Sequence, residues 1–269
     1  MAGASVFDRI VCGVDGSDES FDAVRRAAAL GTGDVVLVSC VNARAAHRSG
    51  PLGGHLIQTQ EKEALAHLEA ARALIPKMPA ETRLLSGQPV PSILSTVDSE
   101  RASMVSVGTR GHSRVAGVVF GSVTTGLLHD GTCPVLVARR SGELDAFPTV
   151  VVVGVDGSAS SMAAIAAALD LKRRLGAEVV PVAATGGGDR PPIAELKARI
   201  DGLRVDPRSP VEALTDAAAT ADLLIVGTRG VRGLKALGSV SERVAHKAPC
   251  SVMTVLQTPW QAARELTVG

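Results

Sequence analysis

The residues of this chain best suited to chemistry are glycines, a serine and an aspartate grouped in two short motifs. The stretch GTRGHSRVAGVVFGS at 108–122 follows an apolar, strand-like run and opens a helix-like one. Gly108, Gly111 and Gly121 leave backbone N–H groups open to close approach by phosphate oxygens, and glycine accepts the positive φ that such a loop can require. Ser122 closes the loop as a good helix N-cap, and the free N–H groups of that helix favour an anion. VDGS at 14–17 ends the first strand-like run. Two roles are open to Asp15: capping the following helix, which Ser17 can also do, or accepting hydrogen bonds from ribose hydroxyls. Arg110, His112 and Arg114 lie inside the loop, placed to assist phosphates or simply to face solvent. The neighbours Val14, Val107, Val123 and Thr124 complete the candidate set of this half.

Both motifs occur twice. IVCGVDGSDES at 10–20 returns as VVVGVDGSASS at 151–161, MVSVGTRG at 104–111 as LLIVGTRG at 223–230, and GSVTTGLLHDGTCPVLV at 121–137 as GSVSERVAHKAPCSVMT at 238–254. Three blocks in the same order with the same turn chemistry make the chain an internal repeat. The second copy offers Asp156, Gly227, Gly230, Gly238 and Ser239 at the matching positions. The offset is 141 residues from Asp15 to Asp156, 144 from Asp34 to Glu178, 119 from Gly108 to Gly227 and 117 from Cys133 to Cys250. The first helix is therefore expected to be about one turn longer in the second copy. The region between the second and third strands is expected to be more than twenty residues shorter there, mainly through loss of the loop 43–55 and half of a helix.

Along each copy the pattern predicts five strands with helices between them. In the first copy strands are expected near 9–14, 35–41, 82–85, 103–107 and 135–138, and helices near 18–30, 56–75, 90–99 and 122–130. Ile57, Ala64, Leu68, Ala71 and Ile75 form one stripe of the second helix, with Glu61, Lys62, Glu69 and Arg72 spread elsewhere. In the second copy strands are expected near 149–155, 178–183, 203–205, 222–226 and 251–255, and helices near 159–175, 192–201, 211–220 and 239–247. Such alternation predicts an α/β chain of two doubly wound, Rossmann-like domains, each with a parallel sheet and right-handed crossovers. Each five-stranded sheet is expected in the order 3-2-1-4-5. The domains are expected at 1–141 and 146–269, joined by the polar segment 139–148. In that order Asp15 and Gly108 flank one crevice, at the switch point where such folds bind ligands.

Composition narrows the function classes. Hydrophobic residues are 46% and aromatics 2%, with no Tyr, so Ala, Val, Leu and Ile must build the core. A net charge of +1 and the scarcity of aromatics speak against nucleic acid as a partner. No run of about 18 apolar residues exists, and MAGASVFDRI has no apolar signal-peptide core, so a cytoplasmic protein without a membrane partner is expected. The 22 Arg against 6 Lys suit a GC-rich bacterial genome. Cys12, Cys40, Cys133 and Cys250 form no C-x-x-C pair and read as reduced core thiols, and no metal site is expected. His129 and His246, each four residues before a Cys, suit helix C-termini.

Taken together, VDGS at 14–17, the G-x-x-G-x9-G-S pattern of Gly108, Gly111, Gly121 and Ser122, the G-x-P at Gly87–Pro89 and the closing TCPVLV and APCSV strands resemble the universal stress protein family, in its tandem two-domain form. The resemblance spans nearly the whole chain. It implies ATP, with or without Mg2+, held by loop amides, the serine hydroxyl and the strand-one aspartate, with the base against the end of strand two. That last role falls on Cys40, and on Ala184 in the second copy. It also implies pairing of the two domains through their fifth strands, a homodimer, and a regulatory protein partner in a stress response.

The expected function is therefore ATP binding with a regulatory rather than an enzymatic outcome. A slow ATP-hydrolysing enzyme on the same scaffold and a ligand-free interaction module are the alternatives. The two sites are expected to be unequal, because nine residues separate Gly111 from Gly121 but only seven separate Gly230 from Gly238. Arg208 stands where the first copy has Gly87, at a position expected to lie farther from the site.

Overall fold

The first strand, β1 (Arg9–Gly13), is short and buried through its three middle residues, as an inner parallel strand must be when helices cover both of its faces. It belongs to a computed structural model that describes residues 6–42, 53–109, 120–139, 146–187, 190–228 and 240–256. Two compact units are present: Met1–Leu127 with Leu136–Ala138, and Leu128–Val135 with Arg139–Gly269.

In the first unit the chain continues as α1 (Asp18–Leu30), β2 (Asp34–Val41), α2 (Gly53–Ala73), β3 (Ala80–Ser86), α3 (Pro89–Ser99), β4 (Met104–Gly108), α4 (Ser122–Asp130) and β5 (Val135–Ala138). The strand order is β3-β2-β1-β4-β5. β1 runs parallel to β2 and to β4, and β2 parallel to β3. The chain thus winds to one side of β1 and then to the other, opening a crevice beyond the carboxyl ends of β1 and β4. Ser17 caps α1, its side chain accepting from Ser20 N, and Asp18 and Glu19 suit the helix's positive end. α2 buries Ala64 and Leu68, with Ala71 and the following Ile75, while Glu61, Lys62, Glu69 and Arg72 face solvent.

The second unit contains β6 (Val150–Gly154), α5 (Ala159–Leu175), β7 (Glu178–Ala184), α6 (Ile193–Arg199), β8 (Arg204–Asp206), α7 (Pro210–Ala217), β9 (Leu223–Thr228), α8 (Val240–Lys247) and β10 (Ser251–Leu256). Its strand order, β8-β7-β6-β9-β10, repeats that of the first. α5 ends at Gly176, left-handed with φ 73° as a helix-closing glycine should be. α7 begins with a capping box between Ser209 and Glu212 and with proline in its first turn.

The expected length differences fall where the repeat offsets put them, with one adjustment. α1 has 13 residues and α5 has 17, one turn more. The connection after the second strand runs over 42–79 in the first unit and 185–203 in the second, 38 residues against 19. That is slightly less than the expected deficit, and most of the remainder lies in the third strand, seven residues in β3 and three in β8. The linker expected at 139–148 is described only at 139 and 146–148. Among the described residues no helix is long and apolar enough to cross a membrane.

One contact decides how the crevice is built. A Cβ on Gly108 would stand 2.7 Å from the carbonyl carbon of Glu19 and 2.8 Å from its oxygen. In the second unit a Cβ on Gly227 would stand 2.6 Å from Ser160 C and Ser161 N. Glycine at these positions is therefore required first by packing of the fourth strand on the first helix, before any demand from a phosphate. Gly108→Ala should destabilise the protein by about 1–3 kcal/mol, because backbone must move to admit the methyl. Gly54→Ala, where nothing lies within 4 Å, should leave stability unchanged or slightly raised. Urea denaturation of both variants checks this pair of expectations.

Candidate functional site

A cleft of about 490 Å3 opens in the first unit beyond the carboxyl ends of β1, β2 and β4. Its walls include Val14, Asp15, Cys40, Val107, Gly108, Gly121, Ser122, Val123 and Thr124. Every described candidate of the first copy thus lines one cavity, although these residues are spread over more than a hundred positions of the chain. Arg110 and Gly111 lie outside the described residues, as do His112 and Arg114.

The turn after β1 is held by its own side chains. Asp15 Oδ1 accepts from Ser17 N at 3.0 Å and from Ser17 Oγ, and Ser17 Oγ accepts from Ser20 N at 3.2 Å. The cap of α1 is thus Ser17 and not Asp15, which braces that serine while its exposed carboxylate borders the cleft. Gly16 adopts φ 85°, the left-handed conformation that glycine accepts without strain.

The glycine segment is pinned at both ends. Gly121 N donates to Thr109 O at 2.9 Å, and the buried Thr124 hydroxyl donates to Gly108 O at 2.7 Å. The Gly121 amide is thus already engaged, so this glycine serves by having no side chain. Thr125 N donates to Gly121 O at 3.0 Å, which starts the helical ladder there. The amides of Ser122, Val123 and Thr124 have no intrahelical partner, as the first N–H groups of a helix never do. They form the donor-rich end of the cleft.

Cys40 lies near the end of β2 and Asn42 directly follows that strand; both line the cleft. Cys40 is half-buried, whereas Cys12, Cys133 and Cys250 are buried, and all four are free thiols. Burial pushes the Cys40 thiol up to about 11 and the Cys12 thiol higher still. Asn42 Oδ1 is buried and meets no donor among the described residues.

The remaining wall has no local signature in the sequence. Gln60, Glu63, Ala64 and His67 of α2 line the cleft at the i, i+3, i+4, i+7 spacing of one helix face. The apolar stripe of α2 is legible, but the polar residues beside it look like solvent-facing ones until the helix is laid on β2. His67 lies over the turn, its ring 2.4 Å from where a Cβ on Gly16 would stand.

The second unit keeps the frame and changes the walls. Asp156 Oδ1 accepts from Ser158 N at 2.9 Å, and Ser158 caps α5 as Ser17 caps α1. Over the matching Gly157 stands Pro192, with its Cδ 3.1 Å from a Cβ position, in place of a histidine. Ala184 ends β7 beside Asp206. Arg208 is closer to this region than expected, since its carbonyl accepts from Gly186 N at 3.0 Å, two residues past Ala184. Its guanidinium binds Asp206 at 2.7 Å and Asp216 at 3.0 Å, and the bonds from Arg208 hold the Asp206 carboxyl below the usual range. Gly230, Gly238 and Ser239 lie outside the described residues, so the comparison of nine with seven loop residues does too. His129 and His246 fall in the last turns of α4 and α8, as helix-end histidines should. Among the described residues no group of three His, Cys, Asp or Glu is placed to hold a metal ion.

Known proteins resemble this chain in sequence and in fold. The Universal stress protein family matches residues 7–139 and 192–255. A universal stress protein of Mycolicibacterium smegmatis is 32% identical over 282 residues, covering 91% of this chain and 96% of the relative. Universal stress protein Rv2623 of Mycobacterium tuberculosis is 31% identical over 241 residues, covering 79% of this chain and 76% of its own length. The crystal structure of a universal stress protein from Archaeoglobus fulgidus DSM 4304 matches in fold with a TM-score of 0.77 over 95% of this chain and 98% of that one, at 20% identity. With both repeats, the strand order and the relatives in agreement, the chain belongs to the universal stress protein family.

Proposed function

We propose that this protein binds ATP in the cleft of its first unit and acts as a nucleotide-responsive regulator. The observation that carries this reading is the polarity of the cleft. Its α4 end offers three helix-opening amides and the Ser122 hydroxyl, a set suited to an anion, and the strand-one carboxylate of Asp15 stands apart, where ribose hydroxyls can donate to it. A volume of about 490 Å3 suits a ligand of nucleotide size. The triphosphate, with Mg2+ as its counter-ion, would be held at Gly121–Thr124, the ribose at Asp15, and the base beside Cys40. When bound, ATP supplies charge and contacts rather than a reaction. It ties the start of α4 to the turn after β1, and occupancy alters the surface offered to a regulatory partner. Such a response requires the two surfaces to differ in affinity for ATP.

The second unit is the weaker site in this reading. Pro192 covers the turn where the first unit has His67, and its second connection has only a seven-residue helix, α6, in place of the 21-residue α2. Calorimetric titration of nucleotide-free protein should give one tight ATP site per chain; two equivalent tight sites would contradict it.

Gly121→Val puts a branched side chain where the phosphates approach α4. Affinity for ATP should fall at least about tenfold, about 1.4 kcal/mol, with the fold intact. Wild-type affinity in a folded variant would refute the assignment. Cys40 supplies an independent check. Its raised pKa leaves about a hundredth of the thiolate of an ordinary cysteine near pH 8, so alkylation should be slow there and accelerate as pH rises toward 11. Saturating ATP should slow it further, whereas an unchanged rate would place the ligand elsewhere.

A further inference from the structure

Asn42 keeps a buried Oδ1 that meets no donor among the described residues. It stands two residues past Cys40, so the two side chains share a face of the extended chain, and both line the cleft. A buried acceptor without a donor is costly to keep, and such a group in a cavity wall calls for a partner. α2 packs against β2, and its Gln60 and Glu63 face the same cavity. A carboxylate accepts hydrogen bonds and repels phosphate. Glu63 only accepts, and the Asn42 Oδ1 lacks a donor among the described residues, while the α4 end is rich in donors. A triphosphate, which only accepts, belongs at the α4 end. A group that satisfies Asn42 Oδ1 must bring an N–H or O–H.

We propose that Asn42 is the specificity-determining residue of this cleft, its Oδ1 accepting from the exocyclic 6-amino group of adenine and disfavouring purines that carry a carbonyl there. This rests on the reading of the cleft as an ATP site. The repeat sharpens it. At the 144-residue offset of β2 and β7, Asn42 corresponds to Gly186, where a Cβ would stand 2.3 Å from the Pro207 carbonyl oxygen. No side chain can occupy that position, so the second unit has no equivalent reader of a base.

ATP and ITP differ only in the purine 6-substituent and the N1 proton that accompanies it, which makes them the probe. Nucleotide-free, full-length protein is titrated with each by calorimetry. The wild type should bind ATP at least about tenfold more tightly than ITP, as expected when a buried acceptor loses its donor. Asn42→Leu should bring the two affinities within about twofold, mostly by weakening ATP. Asn42→Asp, which keeps the acceptor, should retain the preference for ATP. Should Asn42→Leu not fold by circular dichroism, Asn42→Ala is read in its place. A wild-type ratio near one, a ratio unchanged by removing the amide, or a preference lost in the Asp variant overturns the proposal. If both nucleotides bind equally and Gly121→Val still weakens both, the ATP site stands and only the role of Asn42 falls. If neither binds the wild type, the ATP site and the role of Asn42 fall together.

Discussion

The crevice depends on the close approach of the fourth strand to the first helix. In the first unit Gly108 lies against the backbone of Glu19, and in the second Gly227 lies against Ser160 and Ser161. Ser106 adds a tie, its hydroxyl donating to Ala23 O at 3.0 Å. With the first turn of α1 pressed onto β4, the VDGS turn and the start of the glycine segment are brought side by side. Burial of Ala23, Val24, Ala27 and Leu30 holds α1 in place. The crevice is thus a by-product of core packing: the glycine that admits the helix also leaves the backbone bare at its wall.

The same frame carries different walls in the two units. In the first unit, α2 is long enough to lay Gln60, Glu63 and His67 along the cavity. In the second, the shorter connection leaves α6 with seven residues and brings Pro192 onto Gly157. Arg208 is engaged by Asp206 and Asp216. Divergence between the repeats is concentrated in the connection between the second and third strands, where insertion costs little because loop-closure entropy grows slowly with length. The strand order is the same in both units, although the first helix is one turn longer in the second and its third strand is shorter.

Much of this is legible in the sequence. The parallel, doubly wound sheet follows from strand–helix alternation, and α1, α4 and α5 begin and end where capping and periodicity put them. Asp15 and Gly108, with Ser122 closing the same loop, can be grouped from the sequence because the switch point of such a sheet brings these positions together; Cys40 joins them only through the family resemblance. Three things are not legible. Gly108 reads as making room for phosphate, since the nearness of Glu19 is a tertiary fact with no local signal. The polar face of α2 resembles a solvated one, because its residue types do not say which neighbour the helix covers. Asn42 follows an apolar strand and looks like a turn residue; only the burial of its Oδ1 without a donor marks it.

Hydrogen–deuterium exchange of the full chain, with and without saturating ATP, tests the central claim most directly, because it reads the amides at both crevices at once. ATP should slow exchange at the amides of Ser122, Val123 and Thr124 and around Asp15, while the segments around Asp156 and Gly227 exchange as before. Equal protection at both crevices, or protection at the second alone, would contradict the assignment of the ligand to the first unit.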